Sequence, residues 1–339
     1  MTLIEARGVC RIYDSSSLFR KHQKLVAVDG VSIAIKAGRT LAVVGESGSG
    51  KSTLGRLMIG ADLPDSGTLR FDGIDLAQRP PRQRQSMARD LQMVFQNALA
   101  ALDPRQSVER QIAEPLLIHR LADRKDAQQQ ALALMERVGL NRQLGNRLPL
   151  ELSGGQRQRV VIARALITQP RFVVFDESVS ALDVSVQAQI IELIRQLQQN
   201  EGFASMFISH DLRVVRHVAD DVAVMYLGRI VEQAPATRLF ESPAHPYTRA
   251  LIGAIPGKRG IGGVHPPRLA GEPPDPARKP TGCAFHPRCP IARALCSKTP
   301  PPEITVGTQH RAACHFAKPT PAAFRSATSI SGKDTSCVS

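Results

Sequence analysis

The chain has 339 residues, 42% of them hydrophobic, with a net charge of +14 and no Trp. That length and apolar content allow one large α/β domain plus a smaller module, and no run of 18 apolar residues is present to cross a membrane. The N-terminal "MTLIEARG" has neither a basic n-region nor an apolar h-region, so no secretory signal is expected, and the six cysteines are assigned to a reducing compartment where disulfides are rare.

In chain order, residues 1–75 read mainly as strands: "VDGVSIAI" alternates, "TLAVV" (40–44) is apolar and β-branched, and "GTLRFDG" ends in a turn signal. One stretch inside this region behaves differently. "GESGSGKST" (45–53) fits the spacing G-x-x-x-x-G-K-[ST], and Leu54, Leu57 and Met58 follow it at helical spacing. A strand, a Gly-rich loop and a helix therefore succeed one another. Gly45, Ser47, Gly48, Ser49 and Gly50 can turn successive backbone N–H groups inward as an anion nest. The helix starting at Lys51, Ser52 and Thr53 adds its positive end, Lys51 can reach β- and γ-phosphates, and the Ser52 hydroxyl can hold Mg²⁺. The loop is read as a nucleoside triphosphate site.

Further along, Leu91–Ala98 reads as a strand ending in the polar pair Gln96 and Asn97, and 104–147 is mostly helical by pattern. "LSGGQRQRVVIARALITQP" is a helix opened by glycines and stopped by Pro170. "RFVVFDES" is a buried strand with Asp176 and Glu177 at its carboxyl end. Next come a helix ("SVQAQIIELIRQLQQNEG"), a strand ending near His210, a short helix ("LRVVRHVA") and a hairpin turning at Gly228. Alternating strands and helices argue for a mainly parallel sheet, and the early strands for an added antiparallel β-subdomain. Near residue 242 the composition breaks: residues 243–339 hold 13 Lys+Arg against 4 Asp+Glu and 16 of the 24 prolines. A basic tail can bind nucleic acid or anionic lipid, but no interleaved aromatics support the former, and a solvated basic surface is the plainer reading.

Ligands of open α/β sheets sit beyond the carboxyl ends of the strands. Asp176 can contact the Mg²⁺ shell there, leaving Glu177 to orient or deprotonate a water. Gln96 offers a neutral oxygen to Mg²⁺ or water, and His210 can hydrogen-bond a γ-phosphate. Ser153, Gly154 and Gly155 open a second helix N-terminus suited to anions. One nucleotide does not need two such platforms, so two chains arranged head to tail would each supply one to the other.

These segments together resemble the ATP-binding-cassette ATPase family, whose signature is LSGGQ (152–156). The resemblance implies a P-loop NTPase cassette with a helical signature subdomain. It also implies roles: Walker A at Gly45–Ser52, Q-loop Gln96, signature Ser153, Gly154, Gly155 and Gln156, Walker B at Phe172–Asp176, catalytic Glu177, D-loop Ser180–Asp183, switch His210, and Tyr13 stacking on adenine. Mg²⁺ would be held through Ser52, Gln96 and Asp176.

A narrower resemblance, to ATPase subunits of the peptide/nickel importer subfamily, rests on "NALAALDPRQSVERQIAEPL", "SALDVSVQAQI", "SPAHPYTRALIGAIP" and "GCAFHPRCPIARALC…ACHF". It implies a cassette at 1–242, a C-terminal module at 243–318 and a disordered tail at 319–339. It implies a second, distinct cassette subunit, two membrane-spanning permease subunits and an extracytoplasmic solute-binding protein, with the chain on the cytoplasmic face of the inner membrane. Di- or oligopeptide is the expected cargo, with nickel, glutathione or another small solute as alternatives. A soluble cassette ATPase acting on nucleic acid or ribosomes is the competing class, but no nucleic-acid partner is expected. Two departures from the pattern are Ser178, where proline is usual, and Leu150. Ala98, Leu99, Ala100 and Leu102 form an apolar patch read as a permease dock, with core packing as the rival. Cys283, Cys289, Cys296 and Cys314 can hold a [4Fe–4S] cluster, which the resemblance favours, or zinc, or can be plain packing residues. Cys10 and Cys337 are expected to be free.

Overall fold

The computed structural model describes residues 1–17, 20–255 and 271–318, with backbone alone for 15–17 and 20–23. The expectations for 319–339 and for Cys337 lie outside these residues. The strands are β1 (Thr2–Ser17), β2 (Arg20–Lys36), β3 (Thr40–Val44), β4 (Ser66–Phe71), β5 (Ile74–Asp75), β6 (Leu91–Val94), β7 (Phe172–Asp176), β8 (Ala204–Ser209), β9 (Asp221–Tyr226), β10 (Arg229–Pro235), β11 (Glu303–Gly307) and β12 (His310–Ala313). The helices are α1 (Lys51–Met58), α2 (Pro81–Met87), α3 (Val108–Ile118), α4 (Arg124–Arg137), α5 (Gly154–Leu166), α6 (Val184–Glu201), α7 (Leu212–Val218), α8 (Ala236–Glu241), α9 (Pro246–Gly253) and α10 (Ala294–Lys298).

Two sheets organise these elements. An antiparallel sheet runs β2-β1-β4-β5, and an eight-stranded sheet runs β11-β12-β10-β9-β3-β8-β7-β6. The five strands β9, β3, β8, β7 and β6 are mutually parallel, so their carboxyl ends share one edge. The central strands are buried on both faces, which is why they read as continuous apolar runs. In β7 the alternation is visible in the packing. Phe172 and Val174 enter the core shared with α1 and the antiparallel sheet, while Val173 and Phe175 enter the core of the helical layer α3–α6. Complete burial of each such side chain is worth roughly 1.5–3 kcal/mol, so the sandwich is held from both sides.

A third core lies under α7, α8 and α9, and it crosses the compositional break. Val44, Val224 and Tyr226 share it with Tyr247 and Phe285. Strand β12 also pairs with β10, placing Glu232 opposite Ala312. The buried Glu232 carboxylate accepts hydrogen bonds from the backbone N–H of Ala244 (2.7 Å) and His245 (2.8 Å), and pairs with His310 Nε2 (2.7 Å). Composition changes near 242, but packing does not.

Two local expectations need correction. Strand β6 stops at Val94, because Phe95 to Asn97 turn out into solvent rather than continuing the ladder. The apolar patch that follows is divided: Leu102 is 4% exposed and belongs to the helical-layer core, whereas Leu99 is 41% exposed. Leu102 packs as the core reading expects, while Leu99 stays exposed.

Candidate functional site

The loop between β3 and α1 closes over its own lysine. Lys51 is 4% exposed, and its Nζ donates to the carbonyls of Gly45 (3.0 Å) and Glu46 (2.8 Å). Burial lowers its pKa, against the opposing pull of Glu177, Asp176 and Glu46. The loop is braced from behind, since Gly228 N–H in the β9–β10 turn donates to the Ser49 carbonyl at 2.9 Å. A side chain at Gly45 would run into the Met225 carbonyl on neighbouring β9, so close approach of two backbones dictates glycine there.

Beside the loop, Ser52 Oγ donates to Asp176 Oδ1 at 3.0 Å. Asp176 is 8% exposed, and burial raises its pKa. A buried carboxylate beside a hydroxyl at the start of a helix is a hard-oxygen pair suited to Mg²⁺. The buried Ser49 Oγ has no hydrogen-bond partner among the described residues, and it lies within the same cradle. These features fit a magnesium–nucleoside triphosphate: two oxygens for the metal, and an amide-lined loop with a lysine for the phosphates.

Three further side chains converge at the ends of β6, β7 and β8. Glu177 sits at φ +45°, a left-handed conformation that is uncommon outside glycine and is maintained only where surrounding contacts require it. Its N–H still donates to the Ile208 carbonyl at 3.0 Å, so the kink comes at the last ladder position. Its Oε2 accepts from Gln96 Nε2 (3.1 Å) and lies 3.4 Å from His210 Nδ1. Each of these residues alone reads as a polar strand cap. Adjacency of parallel strands places all three around one carboxylate oxygen, next to Asp176 and Ser52.

The LSGGQ segment lies elsewhere. Ser153 caps α5: Gln156 N–H donates to Ser153 Oγ (3.3 Å), and Ser153 N–H donates to Gln156 Oε1 (2.9 Å). The Gln156 side chain is thereby engaged in the cap. Gly155 packs so tightly on α6 that a Cβ would lie 2.7 Å from Val186. This platform, with exposed Asp183 at the start of α6, belongs to the helical layer, whereas the phosphate loop leads into α1 and the core between the sheets. Tyr13 on β1 is tied to α1: its hydroxyl accepts from Arg56 (2.8 Å) and donates to Asp62 (3.2 Å), with the Arg11 guanidinium 5.2 Å from its ring centre. Of the two departures, Ser178 is buried and Leu150 is 65% exposed.

The cysteine segment is drawn together by the fold. Cys283 N–H donates to the Cys296 carbonyl at 2.7 Å, Cys296 and Cys314 are buried, and Cys10, Cys283, Cys289, Cys296 and Cys314 are all free thiols. Burial raises the pKa of Cys283 and Cys314 and pushes that of Cys289 up to about 11. Backbone N–H groups oppose this at three sulfurs, from Phe285, Ile291 and Phe316. Among the described residues, no group of three or more His, Cys, Asp or Glu is arranged to hold a metal ion.

One set of contacts had no signal in the sequence. Glu46, at a position that the loop spacing leaves unspecified, is paired with Arg288, and its N–H donates to the Tyr247 hydroxyl. "HPYT" and "HPRC" stand out in the tail, but no spacing rule connects them to residue 46.

Comparison with known proteins identifies the family. The family described as ABC transporter matches residues 28–180, and the oligopeptide/dipeptide transporter C-terminal region matches 231–296. A di/tripeptide transport ATP-binding protein of Pseudomonas aeruginosa is 47% identical over 324 residues, 94% of this chain and 98% of that protein. An oligopeptide transport ATP-binding protein of Bacillus subtilis is 44% identical over 93% of this chain and 97% of its own length. A solved dimeric bacterial ABC transporter cassette superposes with a TM-score of 0.62 at 26% identity, covering 69% of this chain and 99% of that one. With the phosphate loop, the paired acids and the LSGGQ helix in place, the chain belongs to the ATP-hydrolysing subunits of the ABC transporter family, in the group that carries the oligopeptide/dipeptide transporter C-terminal region.

Proposed function

We propose that this ATPase energises import of di- or oligopeptides through a membrane permease. The observation that carries the reading is the C-terminal region built into the cassette core through Tyr247, Phe285 and β12, combined with relatives named for peptide transport along nearly the whole chain. No helix among the described residues is long and apolar enough to cross a membrane, so the cargo path belongs to partners. In this reading those partners are two permease subunits and an extracytoplasmic solute-binding protein, and the chain sits on the cytoplasmic face of the membrane. Exposed Phe95 and Leu99, beside Gln96, form the docking edge.

The chemistry assigned to the site follows its geometry. Gly45, Ser47, Gly48, Ser49, Gly50, Lys51 and Thr53 cradle the phosphates, and Tyr13 lies against the base. Ser52, Asp176 and Gln96 are placed to hold Mg²⁺, which, when bound, neutralises charge on the phosphate oxygens. Glu177 takes the proton of the attacking water, oriented by Gln96, while His210 reports the γ-phosphate. Ser153, Gly154, Gly155, Gln156 and Asp183 serve the nucleotide of a second cassette across a head-to-tail interface, in a heterodimer. The separation of that platform from the phosphate loop within one chain supports this part.

For the four tail cysteines a structural [4Fe–4S] cluster is the reading, and it rests on the donor set, because the described thiols are not themselves arranged as a metal site. Support comes from the four-thiol donor set without disulfides and from the backbone N–H groups aimed at three of the sulfurs.

The test of the whole reading is peptide-stimulated ATP hydrolysis by the complex in proteoliposomes. Glu177→Gln keeps the size of the side chain and removes its basicity, so turnover should fall about 10²–10⁴-fold while ATP binding persists. Near-normal turnover refutes the role of Glu177. Stimulation by nickel or glutathione and not by peptides redirects the cargo, and copurification with RNA rather than membrane proteins refutes the transport reading.

A further inference from the structure

Glu46 is held at every polar atom. Its N–H donates to the Tyr247 hydroxyl (2.9 Å), and its carbonyl accepts from Lys51 Nζ (2.8 Å) and from Ser49 N–H (3.2 Å). Its carboxylate receives two parallel bonds from Arg288, Nη1 to Oε2 at 2.7 Å and Nη2 to Oε1 at 2.9 Å. The Arg288 side chain is only 5% exposed, and its Nη1 also lies 3.4 Å from the Tyr226 hydroxyl. Beneath this pair is a rigid aromatic floor, in which Tyr226 lies 4.7 Å from Tyr247 and 5.3 Å from Phe285, between ring centres.

The same C-terminal segment reaches the far end of the loop. Lys279 Nζ donates to Asp29 Oδ2 (3.2 Å), Asp29 N–H donates to the Gly228 carbonyl (2.9 Å), and Gly228 N–H donates to the Ser49 carbonyl (2.9 Å). The phosphate loop is thus braced directly at Glu46 by Tyr247 and Arg288, and at Ser49 by Gly228, which Lys279 reaches through Asp29.

A buried ion pair adds little net stability, because desolvation offsets the attraction; what a two-bond guanidinium–carboxylate fork contributes is fixed geometry. Here there is also an electrostatic consequence. A carboxylate within the phosphate loop repels the triphosphate and competes with it for Lys51. The fork sets a guanidinium against that charge, which weakens the pull that Glu46 still exerts on Lys51.

We propose that Arg288 is a positioning residue for ATP: by clamping Glu46 it presets the Lys51-bearing turn, so that the C-terminal segment sets the affinity of the phosphate loop for nucleoside triphosphate. Removing Arg288 loosens the turn and unmasks the Glu46 charge. Removing that charge as well should then restore much of the affinity.

The experiment measures steady-state ATP hydrolysis and ATP binding by the full chain in its assembled complex. Arg288→Met should raise the KM for ATP about fivefold or more, a change larger than the fall in kcat, as expected for contacts that couple directly. Arg288→Lys keeps the charge without the fork, so its KM should fall between those of wild type and Arg288→Met. Combining Glu46→Gln with Arg288→Met should bring the KM back to within about twofold of that of Glu46→Gln alone. An unchanged KM in Arg288→Met overturns the proposal. So does a raised KM that Glu46→Gln fails to relieve, since a purely structural role for Arg288 would not depend on the charge at residue 46. If Arg288→Met does not fold, Arg288→Lys with and without Glu46→Gln decides by the same criteria.

Discussion

Replacing Gly50 by alanine perturbs the phosphate loop without touching its chemistry. Gly50 has φ +102° and caps α1. An added Cβ would lie under 3.0 Å from the Ala27 carbonyl oxygen and 2.9 Å from Met225 Cε. The methionine methyl can swing aside, but the Ala27 carbonyl is main chain of β2, held on both sides of a bulge by the pairing of Val26 with Ile12 and of Val28 with Arg11 on β1. The backbone strain of a non-glycine residue at this φ costs about 1–3 kcal/mol, and forcing the loop off β2 costs about 1–3 kcal/mol more. Gly48 is the internal control: φ is +75°, but nothing lies within 4 Å of its Cβ position, so only the backbone part applies. Denaturant or thermal unfolding of the nucleotide-free protein reads both changes. At about 2.1 cal/mol/K per residue, a chain of 339 residues shifts by roughly 1.4 °C per kcal/mol, so Gly50→Ala should lower Tm by about 6 °C and Gly48→Ala by about 3 °C. ATP binding should be lost in the former, because the loop has moved. Equal losses of stability, or a milder effect at Gly50, would show that the contact with Ala27 does not govern this loop.

The tail cysteines and a buried histidine supply two more tests. Purified without oxygen, the protein should be brown and carry about four iron and four sulfide per chain; a colourless protein with stoichiometric zinc, or with no metal and a protease-resistant tail, overturns the cluster assignment. His245 caps α9 as a neutral ring, its Nδ1 accepting from Tyr247 N–H, and burial pushes its pKa down to about 4. The unfolded chain binds this proton below a pKa of about 6.5 and the native state does so only near 4, so stability is full above about 6.5 and falls as the pH drops through that window. At pH 5 this single site should account for about 2 kcal/mol. His245→Asn, which can still cap, should show a shallower acid dependence in unfolding experiments between pH 7 and pH 5; an unchanged slope refutes the assignment.

Much of the molecule was legible along the chain, and for a common reason. The phosphate loop, the LSGGQ cap and the buried strand before Asp176 are each defined by backbone geometry within a dozen residues, where spacing maps directly onto turns, helix ends and burial. The serine and glutamine of the cap even form the reciprocal bonds their spacing requires. What the sequence could not determine is which distant segments meet. Gln96, Glu177 and His210 share one oxygen only because β6, β7 and β8 lie side by side in parallel, an order set by packing of both sheet faces. Leu99 and Leu102 have the same composition, yet one is exposed and the other buried, because the turn after β6 directs them differently. The deepest such decision is at residue 46. A prolines-and-charge boundary near 242 suggests a tail set apart, but Tyr247, Phe285 and β12 bury apolar surface and strand edge that the cassette would otherwise leave open. That burial carries Arg288 across the sheet to Glu46, a pairing between residues 242 positions apart that no local rule encodes.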